Sequence, residues 1–193
     1  MFVPFDQLAD HARVWIYPSS RPFSTQELAV IREKAKAFLE QWTAHGAELQ
    51  AGIDLPYDRF IVLGLNESVQ SASGCSIDSS VRFIQALEQT FDITLLDKMN
   101  VTYRNENTIN HIPLKEFRTK AKKKKISSDV IVFNNLVLNK MEYDSLWEVP
   151  ACELLPYSHG LRLAVLQHWD GTDLLTRALH QAIPLCQLRR DSR

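Results

Sequence analysis

The sequence contains few cysteines and no long apolar segment. Its three cysteines, Cys75, Cys152 and Cys186, are far apart and form no CxxC pair. This pattern argues against a disulfide framework and a zinc ribbon, and it favours a reducing compartment. No apolar run approaches the ~20 residues that a membrane-spanning helix needs, and residues 1–6 lack the features of a signal peptide. We therefore expect a cytoplasmic protein without a membrane span.

Neither sign of charge is in excess. The chain has 22 Lys and Arg against 23 Asp and Glu, and its net charge is −1. This balance excludes a globally basic nucleic-acid-binding protein, although a local basic patch is compatible with it. The composition, 45% hydrophobic and 23% charged, is ordinary for a domain with a buried core. The length predicts one α+β domain over residues 1–155 and a partly helical C-terminal extension over residues 156–193.

Motifs for nucleotide and metal chemistry are also missing. A phosphate-binding P-loop needs the pattern G-x-x-x-x-G-K-[ST], because successive backbone amides and one lysine surround the phosphates. None of the six glycines belongs to such a pattern. The six histidines include no H-E-x-x-H motif, and no group of residues has the local spacing of metal ligands. The sequence predicts neither a metal nor a cofactor.

The first helix has the clearest local signals. Residues 24–27, Ser-Thr-Gln-Glu, form a capping box in which the serine hydroxyl and the glutamate carboxylate satisfy backbone amides. Gly46 is placed to end the helix in the left-handed conformation. One apolar stripe at helical spacing consists of Leu28, Ile31, Ala35, Phe38 and Trp42.

The remaining pattern predicts a ferredoxin-like fold. Strands are expected at residues 13–17, 51–55, 60–65 and 99–103, and the third is apolar on both faces, as in the centre of a covered sheet. A second helix carries Ile77, Val81, Ile84 and Leu87 on one face. The resulting order, β-α-β-β-α-β, is the ferredoxin-like one. A short helix after Pro113, a strand at 130–133 and a last helix from residue 172 complete the prediction.

Four segments form a recognisable combination: residues 14–17 (Val-Trp-Ile-Tyr), 41–46 (Gln-Trp-Thr-Ala-His-Gly), 73–81 (Ser-Gly-Cys-Ser-Ile-Asp-Ser-Ser-Val) and 129–136 (Asp-Val-Ile-Val-Phe-Asn-Asn-Leu). Together they resemble a family of small bacterial proteins from the Bacteroidetes group, which often carry the label "ABC transporter ATPase". The resemblance covers roughly residues 10–155, about one domain. It implies no ATPase activity, because the P-loop is missing.

Cys75 and His45 are the candidate catalytic pair. Cys75 is predicted in the first turn of the second helix, where free amides and the helix dipole favour a thiolate. In the predicted fold the two helices are antiparallel, so His45, at the end of the first, could approach Cys75 as a base. In the alternative interpretation, Cys75 fills a small buried space and His45 bonds the last helix carbonyls.

The same region is the predicted ligand-binding surface. Its residues are Ser73, Gly74, Ser76, Asp78 and Trp42. Backbone amides at the start of a helix suit an anionic group. We therefore expect an interaction or small-ligand-binding module whose partner is a protein or a small anion; a thiol-dependent enzyme using Cys75 and His45 is the first alternative.

A basic run gives the second alternative. Lys122, Lys123, Lys124 and Lys125 follow Arg118 and Lys120 closely and could contact nucleic-acid phosphates. A solvated helix end explains the same lysines, because cations suit the C-terminal end of a helix. The run also lacks the aromatic platforms typical of single-strand binding. Nucleic acid is therefore not the expected partner.

Overall fold

The computed structural model describes residues 1–44, 46–68 and 70–154. Within them, helices pack on antiparallel sheets, which confirms the α+β class. The strands are β1 (Arg13–Pro18), β2 (Thr43–Ala44), β3 (Ala47–Glu48), β4 (Ala51–Asp54), β5 (Phe60–Leu65), β6 (Asn100–Asn105), β7 (Thr108–Pro113), β8 (Ile131–Phe133) and β9 (Glu148–Pro150). The helices are α1 (Thr25–Gln41), α2 (Gly74–Phe91), α3 (Leu114–Lys122), α4 (Lys140–Leu146) and α5 (Ala151–Leu154).

The first sheet has the order β1-β5-β4, and all its pairs are antiparallel. All six residues of β5 are buried, because α1 and α2 cover one face of this central strand and aromatic side chains cover the other. On the helix side, Leu63 packs in one cluster with Ile31 of α1 and Ile84 of α2. The predicted central strand is confirmed.

The capping box of α1 forms as predicted. The Ser24 hydroxyl accepts from the Glu27 amide at 3.2 Å, and the Ser24 amide donates to the Glu27 carboxylate at 2.7 Å. The predicted end of the helix is wrong, because α1 stops at Gln41. The following residues pair as the β2–β3 hairpin, and Gly46, with a φ of 80°, serves the turn of that hairpin.

The strand predicted at 99–103 belongs to a different sheet. Three strands follow the ferredoxin-like order, but β6 pairs with β7 and β8. The outer edge of β1 is already covered, since the Val14 amide donates to the Leu138 carbonyl at 3.0 Å and Arg13 bridges Asn139. The described residues therefore do not form a single four-stranded ferredoxin-like sheet.

The second sheet has the order β7-β6-β8-β9. Helix α3 covers one face, where the rings of Tyr103 and Phe117 lie 5.2 Å apart. Phe133 and Trp147 contact Phe60 of β5, with ring centroids 4.7 and 4.9 Å away. This aromatic cluster joins the second sheet to the first.

Two of the later predictions are confirmed: α3 begins directly after Pro113, and β8 lies within residues 130–133. The strand β7 was not predicted. The helix expected from residue 172, the extension over residues 156–193 and Cys186 lie outside the described residues.

Candidate functional site

The end of α1 lies beside the start of α2. Trp42, the C-cap residue of α1, donates its indole N–H to the Ser76 carbonyl at 2.9 Å. Both residues are 2% exposed. This buried bond fixes the approach of the two helices that the predicted site requires. It also occupies Trp42 and Ser76 with structural contacts, so neither presents its polar group at the surface.

The first turn of α2 satisfies its own polar atoms. The Ser73 hydroxyl accepts from the Ser76 amide at 3.2 Å, and the Ser76 hydroxyl accepts from the Ser73 amide at 2.8 Å. Gly74, Cys75 and Asp78 are exposed. The Cys75 thiol is therefore open to solvent, which differs from the interpretation that it fills a buried space.

His45, the proposed base, lies outside the described residues. Its flanking residues belong to the β2–β3 hairpin, and β2 contacts α2. The Cys75–His45 contact stays a prediction. Among the described residues, no group of three His, Cys, Asp or Glu side chains could hold a metal ion.

The lysine run lies at the exposed end of α3. Lys122 is the last helical residue and Lys123 is the C-cap. Lys124 has a φ of 54°, which turns the chain away from the helix axis. Lys122, Lys123, Lys124 and Lys125 are all exposed. They lie where the free carbonyls of the helix favour cations.

A groove of about 490 Å³ runs along the same helix. Its lining residues are Met99, Pro113, Leu114, Lys115, Arg118, Thr119 and Lys122. Three of them are cations, and Arg118 Nε is buried without a hydrogen-bond partner in the part of the chain that the structure describes. The volume lies within the range of small-molecule sites, roughly 300–1,000 Å³.

The cations of this groove come from a helical repeat. Lys115, Arg118 and Lys122 are spaced i, i+3 and i+7, which places them on one face of α3. Only Lys122 belongs to the predicted nucleic-acid-binding set. Counting consecutive lysines found Arg118 only as a neighbour of the run and missed Lys115, whereas reading the basic residues at helical spacing would have found both.

A second polar cluster joins the turn before β5 to the second sheet. Tyr57 lies in the left-handed region with a φ of 57°. Its hydroxyl donates to Glu148 and accepts from Arg104 at 2.9 Å. Arg104 also pairs with Glu148 at 2.8 Å. Burial and the Glu148 carboxylate both raise the pKa of Tyr57. Because the three groups satisfy one another, we interpret the cluster as a structural contact between the turn before β5 and the second sheet.

Comparison with protein-family models, curated proteins and solved structures finds no match for this chain. Within the described ranges, no helix is both long and apolar enough to cross a bilayer. The function is therefore inferred from the geometry of the side chains.

Proposed function

We propose that the protein is a binding module for a small organic anion, and that the ligand occupies the groove along α3. The observation that carries this proposal is the convergence of Lys115, Arg118 and Lys122 on one concave surface. Three cations in one groove favour an anionic occupant over a neutral one or a cation. The proposal keeps the expected ligand class and moves the binding surface from the start of α2 to α3.

The apolar part of the groove narrows the ligand class. Met99, Pro113 and Leu114 line it beside the cations, and 63% of Met99 is exposed. Burial of this apolar surface favours a ligand that carries a hydrocarbon or aromatic body next to its charged group. The Arg118 guanidinium suits a carboxylate, phosphate or sulfonate, because its planar fork matches two oxygens.

The remaining cations contribute through attraction at longer range. Lys123, Lys124 and Lys125 are exposed beyond the end of the groove. Their charge raises the local concentration of any anion, and salt screens this effect beyond about 10 Å. A nucleic acid bound through these lysines, and a thiol enzyme using Cys75 with His45, stay alternative proposals.

Anilinonaphthalene sulfonate, a fluorescent aromatic anion, tests the proposed class of ligand. Titration of the full chain is expected to give saturable binding that decanoate displaces and inorganic phosphate displaces only weakly. Arg118→Gln is expected to weaken binding about tenfold or more, because a hydrogen bond to a charged group contributes about 1.5–3 kcal/mol.

Lys123→Gln is the matched control, because it removes the same charge from an exposed position outside the groove. It is expected to reduce affinity far less, since only screened attraction is lost. Equal losses for the two variants, each with native circular dichroism and an unchanged Tm, would contradict the groove as the binding site. Absence of saturable binding to the folded wild type would contradict the proposed function.

A further inference from the structure

Buried polar atoms without partners occur on two residues that face each other across β1 and β5. In the described chain, such side-chain atoms are Ser19 Oγ, Arg59 Nε and Arg118 Nε. The Ser19 amide donates to the Arg59 carbonyl at 2.8 Å, one step beyond the paired residues Pro18 and Phe60. Two of these three atoms therefore belong to directly opposed residues, away from the groove on α3.

Arg59 carries a buried positive charge. It is 7% exposed, and its guanidinium donates to the carbonyls of Ser20 at 3.0 Å and Ile109 at 3.4 Å. No carboxylate of the described residues lies within 4.0 Å of it, whereas Arg21 and Arg104 each pair with a glutamate. Burial lowers the pKa of Arg59, but a guanidinium keeps its proton near neutral pH. Burying an unpaired charge costs several kcal/mol.

The chemistry of the two atoms defines the missing partner. The N–H at Arg59 Nε can only donate, and the Ser19 hydroxyl can donate as well. An acceptor is therefore required, and a metal cation is excluded. A bridging water would satisfy the hydrogen bonds but would leave the charge of Arg59 uncompensated. An anion would accept the hydrogen bonds and would also compensate the positive charge of Arg59.

His111 limits the charge of the occupant. Its Nδ1 lies 2.8 Å from the Thr102 hydroxyl. Burial and the positive charge of Arg59 lower its pKa, and Asp97 opposes them. Near neutral pH the imidazole is therefore uncharged, and Arg59 alone supplies about one positive charge. A singly charged anion balances it.

We propose that Ser19 and Arg59 bind a small monovalent anion, such as chloride, at the junction of β1 and β5 with β7. The two donor atoms are closed to solvent, so the occupant is small. The bound anion would stabilise the contact between the two sheets through Arg59 and the Ile109 carbonyl.

The test replaces sodium gluconate by sodium chloride at constant ionic strength and follows the Tm of the full chain. Gluconate is too large for a closed site. For a chain of this size, the Tm is expected to rise by about 3–5 °C for each tenfold increase in chloride above its Kd. Arg32→Gln, which removes an exposed positive charge on α1, is expected to behave as the wild type.

Arg59→Met is expected to abolish the chloride dependence without lowering the Tm in gluconate, because it removes a buried unpaired charge. Ser19→Ala is expected to weaken the dependence, and Arg59→Lys to retain part of it. A wild-type Tm that does not change with the chloride concentration would overturn the proposal and would favour a bridging water. Ser19→Ala and Arg59→Lys test the site even if Arg59→Met does not fold. If both variants kept the chloride dependence of the wild type, the proposal would also be overturned.

Discussion

The two larger sheets of the described residues are built on different principles. Every residue of β5 in the first sheet is buried, whereas no residue of β7 in the second sheet is. Helices α1 and α2, which cover the first sheet, satisfy polar groups at their ends through caps and one indole bond. The groove cations lie on α3 of the second sheet, and Arg59 lies where the two sheets meet, directly before β5 and in contact with the Ile109 carbonyl of β7. Buried apolar packing is therefore concentrated in the first sheet, whereas the unpaired cations lie on α3 of the second sheet and at the junction of the two.

The largest effect that separates the halves is expected from truncation of apolar side chains. Leu63→Ala removes a fully buried side chain from the helix-covered face of β5 and is expected to cost about 2–5 kcal/mol. Ile112→Ala, at a half-buried position on β7, is expected to cost roughly half as much, because less apolar area leaves water on folding. Urea unfolding measures both. Equal losses would contradict the unequal division of stability.

A reactive thiol at Cys75 would contradict this comparison, because it would place a chemically active group among the helices that cover the first sheet. Exposure predicts that iodoacetamide modifies Cys75 before the half-buried Cys152. We expect His45→Ala to leave the rate at Cys75 unchanged, because solvent exposure of the thiol is enough to account for its modification. Mass spectrometry of quenched samples gives both rates. A large decrease in His45→Ala would favour the thiol enzyme over the binding module.

The smallest effect is expected from the polar contacts at the start of α1. Hydrogen bonds from Arg21 lower the pKa of Glu27 to about 2, and the Ser24 amide adds to this effect. The folded-state pKa is below the ordinary value of 4.5, so the contribution is complete above that value and is lost as the pH falls toward 2.

Glu27→Gln is therefore expected to flatten the decrease of stability between pH 5 and 2, measured by thermal unfolding across that range. The change should be small, because exposed ion pairs contribute about 0–1 kcal/mol. Arg32→Gln serves as the control, since it alters charge on the same helix without touching the cap. The prediction fails if the two variants follow the same pH profile.

Sequence patterns predicted the first half well because burial and capping leave local signatures. The capping box at Ser24, the apolar stripe of α1 and the all-apolar β5 were each readable from a few consecutive residues. The end of α1 could not be predicted in this way, because the pairing of β2 with β3 overrides the local signal of Gly46.

The second half was less predictable for a physical reason. Strand β7 is an edge strand whose polar sequence ends in Pro113, and an edge position needs neither apolar alternation nor every backbone donor. The hairpin turn before it places Glu106 at a φ of 53°, which no Asn-Gly signal announces. Ser19 and Arg59, at the ends of β1 and β5, were also not predicted, because their positions depend on pairing between distant segments.

The coverage of β1 by Leu138 and Asn139 has a consequence for synthesis of the chain on the ribosome. At about 5–20 residues per second, the roughly 70 residues between β5 and Asn139 require on the order of 4–14 s. During that interval a newly made first sheet has an open strand edge that can pair with another nascent chain. Slow translation of this segment would therefore lower the yield of native protein.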